Sequence, residues 1–204
     1  MTKSARLSSE NIEAYCRSGQ TIQLAEELAS APVAEAAEAL GQTDNETLLE
    51  ALSLLDNDRQ GQVFALMDMN RQIDFFRHVS KKRFARIFEH MPSDNRADTF
   101  QQFSTHDQAT LLPYLIPDVR ENVLNLSAYP FDSAGGIMST DYATLHPEQN
   151  CDEALEQVRG KESRNRMIYY LYVLDSENQL LGFISLKGLV TADPGEKVGK
   201  IRYK

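Results

Sequence analysis

The sequence predicts a mainly α protein in which a superhelical stack of short helices, a solenoid-like domain, is followed by a partial α/β module. Two observations favour this fold class. Apolar residues recur every twelve residues through the middle of the chain, and the part after Tyr129 changes to turn residues followed by strand-like apolar and aromatic runs. With 204 residues, of which 42% are apolar, the chain can bury one or two ordinary cores.

The twelve-residue repeat has two apolar registers. The first register comprises Leu52, Phe64, Phe76, Phe88, Phe100, Leu112 and Leu124. The second register follows three residues later and comprises Leu55, Met67, Val79, Met91, Phe103 and Leu115. Residues three apart share one side of a helix, so each unit predicts one short amphipathic helix.

The joints between these units carry residues that start helices. They are Asp56, Ser80, Pro92 or Ser93, and Ser104, and each falls where a new helix must satisfy its free amide groups. Helices this short are marginally stable in isolation. We therefore expect them to stack in pairs around a continuous core from about residue 20 to residue 126.

The chain after Tyr129 reads as a different domain. The string YPFDSAGGIMST is rich in turn residues, a helix is predicted from Cys151 to Arg159, and the runs IYYLYVLD and LLGFISL flank SENQ as a β-hairpin. The segment SLKGLVTADP then predicts a short helix closed by Pro194. The predicted order is β-α-β-β-α, starting near Ala143, and we divide the chain into domains at 1–128 and 129–204.

The charge and the apolar pattern exclude several classes of partner. A formal net charge of −9 and a pI near 5.0 would repel nucleic-acid phosphates and anionic lipids. No apolar run approaches the roughly 18 to 20 residues that span a bilayer, and the first residues lack the apolar core of a signal peptide. Cys16 and Cys151 show neither disulfide nor zinc spacing. We expect a cytoplasmic protein that binds no nucleic acid and does not insert into a membrane.

Three strings resemble the MgtE family of magnesium transporters. YPFDSAGGIMST at 129–140 resembles the family's junction signature, with Phe131 in place of the usual Glu. IYYLYVLDSENQLLGFISLKGLVTADP is similar to the first CBS motif, and MPSDNRADTFQQF is similar to the last acidic helix of the family's N domain. The resemblance implies a helical N domain and a first, incomplete CBS motif on the cytoplasmic side of the inner membrane. It also implies, as partners, a second copy in a homodimer and the remainder of the transporter: a second CBS motif, a connecting helix and a membrane domain.

The candidate metal ligands are Asp94 and Asp98. They lie four residues apart on a predicted helix, so their carboxylates project from one face. The resemblance implies that the matching acids help to hold regulatory Mg²⁺ between the N domain and the CBS module. This suits Mg²⁺, which keeps several waters and needs only one or two carboxylates.

Two alternatives to metal binding stay open. The helix dipole stabilises an acid in the first turn, such as Asp94, without any ligand, and Asp98 could pair with Arg96 or another arginine. Asp56 and Asp58 could extend the acidic face, although a capping role fully explains Asp56.

The resemblance therefore implies a cytosolic Mg²⁺-sensing region that gates a membrane pore through Mg²⁺-dependent domain closure. One alternative is a standalone protein-interaction scaffold, and another is an adenine-nucleotide-sensing CBS protein. Gly188 argues against the nucleotide, because the family commonly has an acid at this position that would bind the ribose. Tyr169 and Tyr170 could line an adenine pocket, but alternating aromatic residues in a strand are more often core residues.

The remaining polar motifs favour neither catalysis nor nucleic-acid binding. The four histidines His78, His90, His106 and His146 are scattered singly, and no nucleophile with a base or complete metal cage can be assembled. We therefore expect no enzymatic activity. The basic string Lys81, Lys82, Arg83 and Arg86 is interleaved with core aromatic residues, so we interpret its cations as a solvated face.

Overall fold

The structure is a computed structural model that describes residues 7–130, 132–161 and 167–203. The chain divides into two compact units, Met1–Met138 and Ser139–Lys204, so the junction string is split between them. Phe131, which departs from the family's junction signature, lies outside the described residues. Among the described helices, none is long and apolar enough to cross a membrane.

The first unit is a stack of short helices. They are α1 (Ser9–Ser18), α2 (Thr21–Ser30), α3 (Val33–Gly41), α4 (Asn45–Ser53), α5 (Asn57–Ala65), α6 (Met69–His78), α7 (Lys81–Glu89), α8 (Ser93–Gln102), α9 (Thr105–Leu111) and α10 (Pro117–Ser127), with a 3-10 turn at Leu112–Tyr114. From α4 to α10, each helix begins twelve residues after the one before it, which confirms the predicted unit. The stack starts earlier than expected, because α1 packs against α2, α3 and α4 and buries Ile12.

The helices pack in two rows. One row runs α1, α3, α5, α7 and α9, and the other runs α6, α8 and α10, so each helix within a row contacts the helix two positions along the chain. The two rows share a core rich in phenylalanine. This phenylalanine cluster comprises Phe64, Phe75, Phe76, Phe84, Phe88 and Phe103.

Both apolar registers supply the core, with one exception. The residues of both registers are buried, apart from Val79 and Leu112, which are half-buried, and Leu124. The prediction for Leu124 is wrong, since 44% of this residue is exposed. It lies on α10, the last helix of its row, and among the described residues of the first unit no later helix covers it.

Aspartate and serine side chains cap several of the helices, as the joints predict. Asp56 accepts a hydrogen bond of 2.8 Å from the amide of Arg59, and Ser104 accepts one of 3.1 Å from the amide of Asp107. Ser80 occupies the capping position of α7 without a side-chain bond, so only its placement is confirmed. Pro92 occupies that position for α8, and Ser93 is the first residue of the helix.

A second periodic feature, the polar ladder, was not predicted. It is formed by five side-chain donors, which are Gln60, Gln72, Arg96, Gln108 and Arg120. Each donates to a backbone carbonyl five residues earlier, and these carbonyls belong to Leu55, Met67, Met91, Phe103 and Leu115 of the second register. Carbonyls at the ends of helices lack partners inside the helix, so the ladder satisfies groups that burial would otherwise leave costly.

The second unit is a three-stranded sheet with helices. Its elements are β1 (Tyr142–Leu145), α11 (Cys151–Lys161), β2 (Met167–Leu174), β3 (Leu180–Ser185), α12 (Leu186–Thr191) and α13 (Val198–Ile201). The sheet order is β1-β2-β3, with β1 parallel and β3 antiparallel to β2. This confirms the predicted β-α-β-β-α order, to which α13 is added.

The helices cover one face of this sheet. Leu171, Val173 and Ile184 form a core with Val158 of α11 and Leu189 of α12. Tyr169 and Tyr170 are not core residues, contrary to our prediction, because 72% and 53% of them are exposed. Tyr170 lies on the uncovered side of the sheet. Tyr169 falls where the pairing of β2 with β1 jumps from Met167 to Leu171.

Candidate metal-binding helix

Helix α8 carries both predicted metal ligands. It packs between α6 and α10 and buries Ala97 and Phe100. Asp94 is the second residue of the helix and is half-buried, whereas Asp98 lies one turn later and is exposed. The structure therefore places the two carboxylates as neighbours along one face of a helix that is fixed from both sides.

The two carboxylates form an electrostatically strained pair. The surrounding protein withdraws Asp98 partly from water even though the side chain is exposed, and this raises its pKa above the ordinary value. The negative charge of Asp94 raises the pKa of Asp98 further. Among the described residues, no cationic side chain forms an ion pair with either acid. A cation bound here would therefore relieve a repulsion that the described side chains do not compensate.

Arg96 lies between the two acids in sequence but belongs to the polar ladder. The side chain is buried and donates to the carbonyls of Glu89 at 3.0 Å and Met91 at 2.9 Å. It also donates to Asn122 Oδ1 at 3.2 Å. Within the described part of the chain, no ion pair joins Arg96 to Asp98. The alternative in which Arg96 neutralises Asp98 therefore finds no support.

The other acids do not extend this site. Asp56 caps α5, and the carboxylate of Asp58 lies 2.7 Å from Nδ1 of His90. Across the described ranges, no group of three or more His, Cys, Asp or Glu side chains comes close enough to hold a metal ion. Asp94 and Asp98 thus offer two carboxylates to a hydrated ion. Any further carboxylate ligand has to come from outside α8.

Two of the four cations in the basic string at residues 81–86 bind to neighbouring groups of the first unit. Lys81 donates to the carbonyl of Phe76 and lies 3.6 Å from the centre of its ring, and Arg83 donates to Ser53 Oγ at 2.5 Å. Lys82 and Arg86 are exposed, as expected of a solvated face.

Gly188 occupies the place where a ribose-binding carboxylate was considered. It is the third residue of α12, and its amide donates to Oγ of Ser185, the capping residue, at 3.0 Å. A side chain at this position would start 3.2 Å from the same oxygen. This contact is tighter than an ordinary van der Waals contact, so a larger residue requires the Ser185 side chain to shift by a few tenths of an ångström.

Family models match most of the chain. The MgtE intracellular N domain matches residues 31–132, and the CBS domain matches residues 134–195. Among curated proteins, the magnesium transporter MgtE of Thermus thermophilus is 34% identical over 107 residues, which are 51% of this chain and 24% of the relative. The MgtE of Enterococcus faecalis is 32% identical over 79 residues, which are 39% of this chain and 17% of that relative. The chain thus spans about a quarter or less of these relatives.

Two solved structures are similar in fold. The soluble part of a magnesium transporter superposes with a TM-score of 0.86 at 20% identity, covering 95% of this chain and 77% of that one. The cytosolic domain of the Mg²⁺ channel MgtE in complex with ATP gives a TM-score of 0.56 at 26% identity. This match covers 90% of this chain and 80% of that one. The first of these likenesses shows the fold only.

Proposed function

Since the chain belongs to the MgtE family, with an intracellular N domain at residues 31–132 and a CBS domain at residues 134–195, we propose that it is the Mg²⁺-sensing region of a magnesium transporter. In this proposal, the acidic face of α8 meets further acidic groups that repel it at low Mg²⁺. Domain closure at high Mg²⁺ then signals to a membrane pore. The implied partners are a second copy of the chain and the rest of the transporter, which are a second CBS motif, a connecting helix and the membrane domain.

The observation that carries this proposal is the pair of Asp94 and Asp98, with which no cationic side chain of the described residues forms an ion pair. Its two carboxylates lie on a fixed helix, and the pKa of Asp98 is raised by partial desolvation and by the charge of Asp94. Two carboxylates on one wall suffice for an ion that keeps several of its waters. Such binding is weak, and weakness suits a sensor because the site must empty when free Mg²⁺ falls.

We expect Mg²⁺ to stabilise the chain through this pair. A ligand present at its own Kd adds about 0.4 kcal/mol to the free energy of unfolding. For a chain of this size, Tm should rise by about 1–2 °C at roughly 10 mM Mg²⁺. Calorimetric melts should show this rise for the wild type and not for the double variant Asp94→Asn, Asp98→Asn. A scaffold that only docks proteins would show no Mg²⁺ dependence.

Asp118→Asn is the matched control for this experiment. Asp118 is exposed and is the second residue of α10, as Asp94 is of α8, so both acids experience a similar helix dipole. This variant should keep the full Mg²⁺ effect. A sodium salt of equal ionic strength should not reproduce it. Equal Mg²⁺ shifts in the wild type and the double variant would count against the proposal.

The Mg²⁺ effect should also depend on pH. The pKa of Asp98 is raised in the folded chain, so folding disfavours its charged carboxylate. Protonation removes this unfavourable contribution to the free energy of folding. Mg²⁺ needs the charged form. The stabilisation by Mg²⁺ should therefore be complete at neutral pH and be lost as the pH falls through the folded pKa of Asp98, which is above the ordinary value of about 3.9.

A second candidate function is adenine-nucleotide binding. It is favoured by the relative that binds ATP and by the exposure of Tyr169 and Tyr170, and it is disfavoured by Gly188. We expect wild-type chain to bind ATP weakly, and Gly188→Asp to bind it about tenfold more tightly, because a charged hydrogen bond contributes about 1.5–3 kcal/mol.

Gly188→Ala is the control for the nucleotide experiment, measured by titration calorimetry. Both variants replace a helical glycine, so both should leave the free energy of unfolding unchanged or raise it by up to about 1 kcal/mol. Only the aspartate adds a carboxylate, which also completes a capping pair with Ser185. If Gly188→Ala binds ATP as tightly as Gly188→Asp, the missing carboxylate is not what weakens binding.

A further inference from the structure

Gln101, near the end of α8, joins this helix to the start of the junction string. Its side-chain amide donates to the carbonyl oxygen of Ser127 at 3.0 Å and to that of Tyr129 at 2.9 Å. Ser127 is the last residue of α10. Carbonyls at and beyond a helix end lack partners within the helix, so a single glutamine of a neighbouring helix satisfies two of them. We name this contact the α8 clamp.

The α8 clamp is the last member of a periodic series. Arg77, Glu89 and Gln101 are twelve residues apart, and each links its helix to a segment later in the chain. Arg77 lies 3.7 Å from the carboxylate of Asp107, and Glu89 accepts a hydrogen bond of 2.9 Å from the amide of Ile116. These two contacts stay within the stack of helices. The α8 clamp instead reaches the point where the stack ends and the junction string begins.

Residues 132–138 of the junction string form a hydrogen-bonded turn, the junction turn, which lies against Tyr129. Within it, the amide of Gly136 donates to the carbonyl of Ser133 at 3.0 Å. The ring of Tyr129 packs directly on Gly135, where a Cβ atom would be 2.3 Å from Cδ1 of the ring. Position 135 therefore accepts only a glycine while the ring keeps its place. The clamp, the Tyr129 ring and the junction turn form one continuous set of contacts.

The clamp residue lies on the same side of α8 as the candidate metal ligands. Asp94, Asp98 and Gln101 occupy positions i, i+4 and i+7, which form one stripe along a helix. A helix moves as a rigid element, so a displacement of the two carboxylates toward a cation displaces Gln101 as well. Met138 ends both the junction turn and the first unit. We propose that Gln101 is a positioning residue that transmits ion binding at α8 to the junction turn, from which the chain enters the second unit.

The α8 clamp and the transmission of ion binding can be tested separately. The transmission rests on the proposed function, because it needs an ion at Asp94 and Asp98. The clamp holds the junction turn with or without an ion. Loss of the donor at Gln101 leaves two carbonyls without their partner and releases Tyr129 from α8, so the junction turn should open more often.

Amide hydrogen exchange of the full chain in EDTA, followed by NMR, measures the clamp. The reporters are the amides of Gly136 and Met138, which donate within the junction turn at 3.0 and 3.3 Å. Gln101→Met keeps the length and the helix propensity of the side chain but has no donor, so both amides should exchange about tenfold faster. Gln101→Lys provides a donor of similar length and should restore slow exchange.

Gln102→Met is the matched control, because Gln102 is the next residue of α8 and is exposed. It should leave the exchange of both reporters unchanged. Circular dichroism checks that all variants are folded. If Gln101→Met exchanges like the wild type at Gly136 and Met138, the clamp does not hold the junction turn and the proposal is overturned.

The same measurement at roughly 10 mM Mg²⁺ tests the transmission. In the wild type, Mg²⁺ at its own Kd should slow exchange about twofold in both α8 and the junction turn. In Gln101→Met, Mg²⁺ should still slow exchange in α8 but no longer in the junction turn. Gly135→Ala displaces the Tyr129 ring and leaves α8 unchanged, so it should interrupt the transmission in the same way.

The pattern across the two segments distinguishes the possible failures. If Mg²⁺ slows exchange in α8 of the wild type but not in the junction turn, the transmission does not occur. A junction turn that still responds to Mg²⁺ in Gln101→Met would show that the response bypasses Gln101, which also overturns the proposal. If Mg²⁺ slows exchange in neither segment, the proposed function fails and the transmission with it, while the comparison in EDTA still decides whether Gln101 holds the junction turn.

Discussion

Replacing Phe84 by alanine is expected to lower the free energy of unfolding by about 3–5 kcal/mol. Phe84 is fully buried, and its ring centre lies 4.9 Å from that of Phe76 and 5.6 Å from that of Phe64. It also contacts Phe88 and Phe103. The substitution removes the ring through which both helix rows meet, and the surrounding rings cannot close the resulting cavity without leaving their positions.

Urea denaturation followed by circular dichroism at 222 nm measures this effect, because the first unit supplies most of the helix. Ile22→Ala is the control, since 77% of Ile22 is exposed on α2. It should change the free energy of unfolding by no more than about 0.5 kcal/mol. A loss below about 1 kcal/mol for Phe84→Ala would contradict the central position of this ring.

Replacing Gly61 by alanine is expected to cost about 1–3 kcal/mol, although alanine favours helices. Gly61 lies in α5 where α7 ends, and a Cβ atom there would be 2.1 Å from the carbonyl oxygen of His90 and 2.6 Å from the amide nitrogen of Met91. Both atoms belong to the backbone, so α5 and α7 would have to move apart.

Gly41→Ala is the matched control, because Gly41 ends α3 in the same unit and a Cβ there meets nothing within 4 Å. This variant should be neutral or stabilising by up to about 1 kcal/mol. Thermal melts of both variants under the same conditions should show changes in Tm of opposite sign if the close approach of α5 and α7 decides the outcome. Equal shifts would show that helix propensity dominates at both positions.

The helical repeat could be predicted because each unit repeats the same local signals. Apolar residues three apart and a capping residue such as Asp56 determine one short helix without information from distant parts of the chain. The start at α1 is harder to predict because only the first register continues before α4, through Leu28 and Leu40, whereas the second register has Gly19, Ala31 and Thr43 there. Leu124 was misassigned for a related reason: a repeat shows which side of a helix is apolar, but not whether another helix follows to cover it.

The polar ladder has a signature in the sequence. Gln60, Gln72 and Gln108 occupy one repeat position, and Arg96 and Arg120 occupy it in two other units. Long polar residues at one fixed place in an apolar repeat indicate a buried group that must be satisfied. At this position in α7 the residue is Phe84, which joins the phenylalanine cluster instead.

Only part of the candidate site could be predicted. The spacing of Asp94 and Asp98 determines that they share a helix face, and the resemblance to the family suggested their role. Arg96 donates to the carbonyls of Glu89 and Met91 before α8, and its repeat position indicates this, whereas its place between the two acids in sequence suggests an ion pair instead. The exposure of Tyr170 depends on which face of the sheet the helices cover.

Within each row, a helix packs on the helix two positions along the chain, and this determines how the first unit responds to force or to a bound ligand. The free energy of unfolding of such an array is close to a sum of the stabilities of single units and of the interfaces between neighbouring units. A local change therefore acts mainly on the adjacent helices. A ligand bound at α8 acts first on its direct neighbours α6 and α10. Strain introduced there should fade over successive modules toward α1, and hydrogen exchange along the array should record that gradient.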